Sequence, residues 1–444
     1  MPENTARSPT AAASAERQAA PAAPRRADLA VDPLPLLARL HAAGLEGARF
    51  GDLLRDLGAR LRQAGIPVGR GHLSVSTLHP LFQAVGSTWY RETGTADEEV
   101  YAGGADSARL WRESPFSHMI ENDQPALRRR LAGDGAVTDF EMLRWLAGKG
   151  FTDWYGRVYG FGWVADRDLL DVPEMGVIFS WSADDPAGFS DADIALLETV
   201  GHGLAVSVKA LAVTEMGQGL LGTYLGRDAA AHVMQGAVRR GSTERVDAVI
   251  MYADLRGFTE LSERLPAEQV VELLNLYFDA MGEPVEWHGG QILKFLGDGF
   301  IATFALEGEE APDGRHEAAV GQKALDAAAA ALRRVARLNR DRQATGLPVM
   351  ALDVVLHAGR VQYGNVGTQQ RLDFTVIGPA VNQASRLEQV CKDMDRNLVA
   401  SRAFRDLAGA EKFDSLGTVT LRGIAAPQEV FAPRIPERGT APPA

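Results

Sequence analysis

Residues 246–259 read VDAVIMYADLRGFT and residues 291–305 read QILKFLGDGFIATFA. In the first stretch Val246, Ala248, Val249, Ile250 and Met251 make a short apolar strand that ends at Tyr252-Ala253-Asp254-Leu255-Arg256-Gly257-Phe258-Thr259. In the second, Gln291 to Leu296 reads as a strand, Gly297-Asp298-Gly299 as a tight hairpin and Phe300 to Phe304 as the returning strand. Between them Pro266 stands at a first helical turn, and Val270, Val271, Leu274, Tyr277, Phe278 and Met281 recur at helical spacing. Pro284 is expected to kink or end that helix, and His288-Gly289-Gly290 to turn the chain. Strands linked by one helix are usually neighbours in a sheet, so strand-end Asp254 and hairpin-tip Asp298 are expected to meet.

A carboxylate at the end of a buried strand is costly unless a cation or strong donors satisfy it. Two such groups together form a hard, all-oxygen site for two Mg²⁺ or Mn²⁺ ions, able to activate an attacking oxygen and neutralise a triphosphate. Singly, each aspartate is ambiguous, because Asp-Gly is a common hairpin signal and Asp254 can also cap the following helix.

Three segments in order, YADLRGFT (252–259), KFLGDGFIA (294–302) and FTVIGPAVNQASRLE (374–388), resemble the catalytic motifs of class III adenylyl cyclases, a likeness spanning residues 245–433. The resemblance implies that Asp254 and Asp298 are metal ligands, joined by the backbone carbonyl of Leu255, and that Gly257, Phe258 and Thr259 offer amide donors to the phosphates. Lys294 matches the purine-selecting lysine: an ammonium donates to adenine N1, whereas the protonated N1 of guanine would favour a glutamate. Thr375 falls where many relatives carry an aspartate that reads the adenine amino group, and its hydroxyl can accept the same bond. Lysine with threonine resembles the class IIIb subgroup, some members of which respond to bicarbonate. Asn382 and Arg386, four positions apart on the helix after Gly378-Pro379, share one face. The resemblance gives the asparagine to the ribose and the arginine to charge building on the α-phosphate. Arg422 stands where relatives often hold a phosphate-contacting lysine, with a planar fork in place of a point charge.

The same resemblance implies an α/β (α+β) fold, a ferredoxin-like βαββαβ core with added strands, and a head-to-tail homodimer. One subunit would supply Asp254 and Asp298, the other Lys294, Thr375, Asn382 and Arg386, so that a monomer holds no complete site. The implied reaction is attack of the ribose 3′-oxygen of ATP on the α-phosphorus, releasing pyrophosphate and 3′,5′-cyclic AMP. The alternatives are a guanylate cyclase, with Lys294 as the feature against it, a catalytically silent nucleotide-binding module, and a ligand-sensing scaffold whose output is assembly.

The remaining chain reads as attached parts. With 444 residues and 46% hydrophobic content it can bury two or three cores, while a net charge of -12 excludes a general nucleic-acid binder, which needs a basic face. The single cysteine, Cys391, excludes an intrachain disulfide and reads as a small buried apolar residue. Residues 1–27 and 434–444 read as disordered tails. Residues 30–215 alternate helical stripes (Leu36, Leu37, Leu40, then Leu53, Leu54, Leu57, Leu61) with strand-like runs at His72 to Leu78, Gly156 to Val164 and Met175 to Trp181. Ser190 with Asp193 opens a further helix as a capping box. This layout resembles a GAF-like sensory domain taking a small-molecule or protein signal. Six of the seven tryptophans, Trp89, Trp111, Trp145, Trp154, Trp163 and Trp181, lie in it, as packing residues or as an aromatic ligand pocket. Residues 216–244 read as a helical connector weakened by Gly222 and Gly226. Val320, Ala324, Leu325, Ala328, Leu332 and Val335 put one core-facing stripe on a helix from Glu317 to Arg337. His288, His316 and His357 lack metal-ligand spacing. No unbroken apolar run reaches spanning length, so no membrane span and a cytoplasmic location are expected.

Overall fold

The computed structural model describes residues 31–79, 82–102, 105–163, 175–306, 315–424 and 426–434. The tail expected over residues 1–27 lies outside these. Of the tail expected over 434–444, residues 435–444 also lie outside these, whereas Arg434 is held in place, donating through its backbone to Lys412 and through its side chain to Asp414 at 2.6 Å. The chain divides into two compact units between Gly217 and Gln218.

In the first unit α1 (Leu34–Glu46) and α2 (Phe50–Gln63) lead into β1 (Val68–Ser76), β2 (Ala84–Tyr90) and β3 (Ala96–Tyr101). After α3 (Ala105–Arg112) and α4 (Pro115–Glu121) come β4 (Ala126–Arg130), α5 (Glu141–Gly148), β5 (Asp153–Trp163) and β6 (Met175–Ala183). The six strands form one antiparallel sheet in the order β3-β2-β1-β6-β5-β4. Gly58 on α2 leaves room for the Trp89 ring, which a Cβ there would meet at 2.6 Å. Of the six tryptophans in this unit, Trp89, Trp154 and Trp181 are buried while Trp145 and Trp163 are exposed.

The expected capping box is made. Ser190 N donates to Asp193 Oδ2 at 2.7 Å and Asp193 N to Ser190 Oγ at 3.2 Å, opening α6 (Asp191–Leu225). Among the described residues α6 is the one helix long and apolar enough to cross a membrane by length and composition, and 56% of its apolar window is buried within the protein. The sequence criterion of an unbroken run passed over it because Glu198, His202 and Lys209 interrupt the pattern.

The connector expected over 216–244 is not one helix. α6 continues to Leu225; Gly226 at φ 84° breaks it, and α7 (Arg227–Met234) follows. Ala229 of α7 is buried among Ile250, Tyr363 and Phe374, so this helix belongs to the second unit's core. Thr243 and Glu244, also assigned to the connector, already pair with Gly364 and Tyr363.

The second unit continues with β7 (Thr243–Arg256), α8 (Phe258–Ser262), α9 (Ala267–Trp287), β8 (Gln291–Leu296), β9 (Gly299–Ala305), α10 (Arg315–Ala344) and β10 (Ala351–Gly367). With α9 and α10 as the two helices this is a βαββαβ succession, and the sheet order β10-β7-β9-β8 with every neighbour antiparallel is the expected ferredoxin-like core. β11 (Leu372–Ile377) pairs with β10, and after α11 (Pro379–Asp393) the strands β12 (Leu398–Ser401), β13 (Phe413–Val419) and β14 (Gln428–Pro433) extend the β10 edge, with α12 (Arg402–Ala408) between β12 and β13. Pro284, expected to kink or end α9, stands in its last turn, and the helix stops three residues later at Trp287. The stripe on α10 is buried as expected at Val320, Ala324, Leu325, Ala328 and Val335.

Candidate active site

Alternation along β7 decides where its carboxylate points. Val249, Met251, Ala253 and Leu255 enter the core shared with α9 and α10, whereas Ile250 and Tyr252 pack in the cluster containing α11. Asp254, in phase with Tyr252, therefore lies on the α11 face. Asp254 pairs with Gly299 of β9, so the Gly297–Asp298 turn between β8 and β9 stands beside it. Gly297 adopts φ 68°, as the first position of such a two-residue turn requires. Gly299 is required by contact: an added Cβ would strike the Ala253 carbonyl oxygen and approach Asp254 Oδ1 at 2.9 Å. The expected meeting of the two aspartates is thus built from one strand register and one glycine.

Four further groups, Lys392, Glu388, Asp353 and Arg256, not assigned from sequence, complete this corner. Lys392 of α11 reaches Asp254 Oδ2 at 3.4 Å and Glu388 Oε1 at 2.6 Å. Burial, then Asp298 and Glu388, push the Asp254 carboxyl up to about 6, against the pull of Lys392. The Asp298 carboxyl is also raised, chiefly by burial. On the opposite flank Asp353 lies across from Asp254 in the β10 register and is clamped by Arg256, whose Nε donates to Oδ2 at 3.0 Å and Nη2 to Oδ1 at 2.8 Å. Arg256 also donates to Asp395 at 2.9 Å and to the Cys391 carbonyl, tying the end of β7 to the end of α11. Alternating patterning in ALDVVLHAG was the available signal for Asp353, but nothing in it marked the partner. Cys391 is buried, as expected, and burial pushes its thiol up to about 12.

Gly257, at φ 91°, precedes the short helix α8, so Gly257, Phe258 and Thr259 form the strand-to-helix corner directly after Asp254, Leu255 and Arg256. Lys294 lies two residues before the end of β8, beyond a β-bulge that shifts the register between Ile292 and Lys294 and re-aims the side chain. It donates to Asp373 of β11. Asp373 and Thr375, two residues apart on one strand, share a face, so the structure brings Lys294, Asp373 and Thr375 to one place. The pairing of Asp373 with Lys294 depends on where β8 and β11 lie.

Asn382 and Arg386 sit on α11 as expected, and Arg386 lies beside the Arg422–Gly423 turn: a Cβ on Gly423 would be 3.5 Å from Arg386 Nη2. Asn382, Arg386 and Arg422 are exposed, and among the described residues their side chains make no hydrogen bond or ion pair. By helix geometry Arg386 is about 9 Å along the axis and about 120° around from Lys392. The arginine therefore projects away from the carboxylates of its own chain. His357 is buried with Nδ1 2.8 Å from Ser401 Oγ, and His288 Nδ1 donates to the Pro284 carbonyl, both packing roles.

The family model for the adenylate and guanylate cyclase catalytic domain matches residues 242–432. An uncharacterized protein of Mycobacterium tuberculosis is 34% identical over 236 residues, 52% of this chain and 39% of its own length. Adenylate cyclase 1 of Rhizobium meliloti is 34% identical over 191 residues, 42% of this chain and 27% of its own. This chain thus spans well under half the length of these curated relatives. Among solved structures, the adenylyl cyclase CyaB from P. aeruginosa aligns at 26% identity and a TM-score of 0.38, covering 44% of this chain and 97% of that one.

Proposed function

We propose, from the premise that residues 242–432 are an adenylate and guanylate cyclase catalytic domain, that the protein converts ATP to 3′,5′-cyclic AMP and pyrophosphate. The sites would be shared between two copies of the chain, and the amino-terminal unit, read as GAF-like, would regulate them. The observation that carries the shared site is the division of charge. Asp254 and Asp298 gather on one side of α11, while Asn382, Arg386 and Arg422 are exposed, unpaired among the described residues and directed elsewhere. A second copy bringing its free arginine to this chain's carboxylates completes a site, and the converse completes another.

The residues present fit a hard divalent cation. Asp254, pushed up to about 6, lacks sufficient positive charge around it. No three His, Cys, Asp or Glu side chains among the described residues form a cage, which suits magnesium or manganese held by one or two carboxylates and completed by substrate phosphates. Asp254, Asp298 and the Leu255 carbonyl would hold the ions, two per site. When bound, these supply charge neutralisation on the triphosphate and activation of the ribose 3′-oxygen. The Gly257, Phe258 and Thr259 amides would receive the β- and γ-phosphates. Lys294 would donate to adenine N1 and Thr375 accept from the amino group, with Asp373 holding the ammonium in place until the base arrives. Asn382 would orient the ribose, Arg386 would meet charge developing on the α-phosphate, and Arg422 would contact the phosphate tail. Lys294 and the adenylate cyclase name of a 34%-identical relative support ATP over GTP.

Complementation tests the shared site. Asp254→Asn and Arg386→Ala chains should each be inactive alone. Mixed in equal amounts and allowed to exchange, half the dimers carry one intact site of two, so about a quarter of parental cyclic AMP production should return. If the mixture remains as inactive as its components while exchange is verified, the shared-site reading fails.

A further inference from the structure

The amino-terminal sheet has one face that the cyclase reading leaves unused. Along β1 the buried residues alternate Arg70, His72, Ser74 and Ser76 with Gly71, Leu73 and Val75. Directly opposed residues of antiparallel strands project to the same side. The register therefore lays two polar rows across β2, β1, β6 and β5: Tyr90, Arg70, Ser182 and Trp154 in one, Thr88, His72, Ser180 and Gly156 in the next.

The second row is internally satisfied. His72 Nδ1 lies 2.7 Å from Thr88 Oγ1, and Ser180 Oγ accepts a long bond of 3.5 Å from Arg70 Nη1. The first row is not. Arg70 Nε, Ser182 Oγ and Trp154 Nε1 are all buried without a hydrogen-bond partner, on three adjacent strands. Arg70 is 7% exposed, Ser182 and Trp154 0%, and among the described residues no carboxylate pairs with Arg70. Its remaining close partner is the Tyr90 ring, 5.7 Å from the guanidinium carbon. A guanidinium cannot escape burial by deprotonating, so a counter-charge is the remaining remedy. His72 offers none, since burial and then Arg70 push it down to about 3 and keep it neutral.

We propose that this row is a binding site for a small molecule bearing one carboxylate, whose oxygens accept from Arg70, Ser182 and Trp154. A single cation with neutral donors matches a single negative charge; a dianion would leave one charge buried and uncompensated. The neighbouring rings favour an apolar or aromatic body on the ligand: Phe116 of α4 lies 5.7 Å from Trp154 and 6.4 Å from His72, centroid to centroid. This site is independent of the cyclase assignment.

The test is thermal melting of the full chain followed by tryptophan fluorescence, which reports this unit because six of the seven tryptophans lie in it. Sodium benzoate and sodium acetate are titrated against sodium chloride and sodium phosphate at matched ionic strength, on the parent, Arg70→Met and Ser182→Ala. Saturable upward shifts of several degrees are expected in the parent with benzoate or acetate, beyond those with chloride or phosphate. They should vanish in Arg70→Met and shrink in Ser182→Ala, and without added carboxylate both variants should melt no lower than the parent. Equal shifts in parent and Arg70→Met, no shift beyond chloride with either carboxylate, or a shift with phosphate alone would each overturn the proposal. Should Arg70→Met fail to fold, Ser182→Ala decides by the same comparison.

Discussion

Replacing Asp254 by asparagine should stabilise the metal-free protein while abolishing cyclisation. The carboxyl is mostly buried, beside Asp298 and Glu388, and titrates at about 6 instead of 3.8. A raised carboxyl pKa means that the folded state resists the charged form. At about 1.4 kcal/mol per unit, the ionised group costs the fold about 3 kcal/mol at neutral pH. Solvent screening at this incompletely buried corner reduces the expected gain to about 1–3 kcal/mol, or several degrees in melting temperature for a unit of this size. The sign follows from proton binding: between the unfolded and folded values the native state holds the extra proton, so parental stability falls as pH rises from 4 to 6. The advantage of Asp254→Asn should therefore be full above pH 7, shrink through pH 6 and disappear near pH 4. Melts of parent and variant with a chelator at pH 7.5, 6 and 5, beside a nucleotide-conversion assay with Mn²⁺, measure both effects. A variant that melts lower than the parent at pH 7.5, or a difference that does not change with pH, would refute the electrostatic account of this corner.

Other expectations follow from the same geometry. Arg256→Ala strips the clamp from buried Asp353 and should destabilise the catalytic unit by about 3–5 kcal/mol, read from denaturant midpoints, with Asp353→Asn in the same background recovering part of the loss. Gly299→Ala drives a methyl into the Ala253 carbonyl and should cost at least about 2 kcal/mol and displace the Asp298 turn, so activity should fall more than folded content by circular dichroism. Lys294→Glu should lower cyclic AMP formation by about 10- to 100-fold and raise the share of GTP converted, since the donor facing adenine N1 becomes an acceptor. An unchanged ATP preference would remove Lys294 from base selection.

The positions of the candidate site residues were legible where spacing alone implies geometry. Asp254 and Asp298 declared themselves as a strand end and a hairpin tip, and Asn382 with Arg386 as one helical face. The hydrophobic period marked single strands, a hairpin and two helices between residues 246 and 335, while their βαββαβ arrangement was implied by the resemblance to class III cyclases. Features that depend on two distant segments stayed hidden. Asp373 meets Lys294 only because β11 folds back from β10 across to the end of β8. Lys392 meets Asp254 only because α11 covers that side of β7. The extent of the connector stayed hidden for a related reason: α7 is held by burial against Phe374, which local sequence does not contain.

By itself, then, the sequence determined the local element on which each candidate side chain stands, because period, glycine and turn chemistry act over a few residues. Only the tertiary structure decided which charges share space: the opposed Asp254 and Asp353, the Arg256 clamp, and the row of unpaired donors across the amino-terminal sheet. Strand register and burial set those encounters, and both are properties of segments far apart in the chain, so no local pattern can encode them.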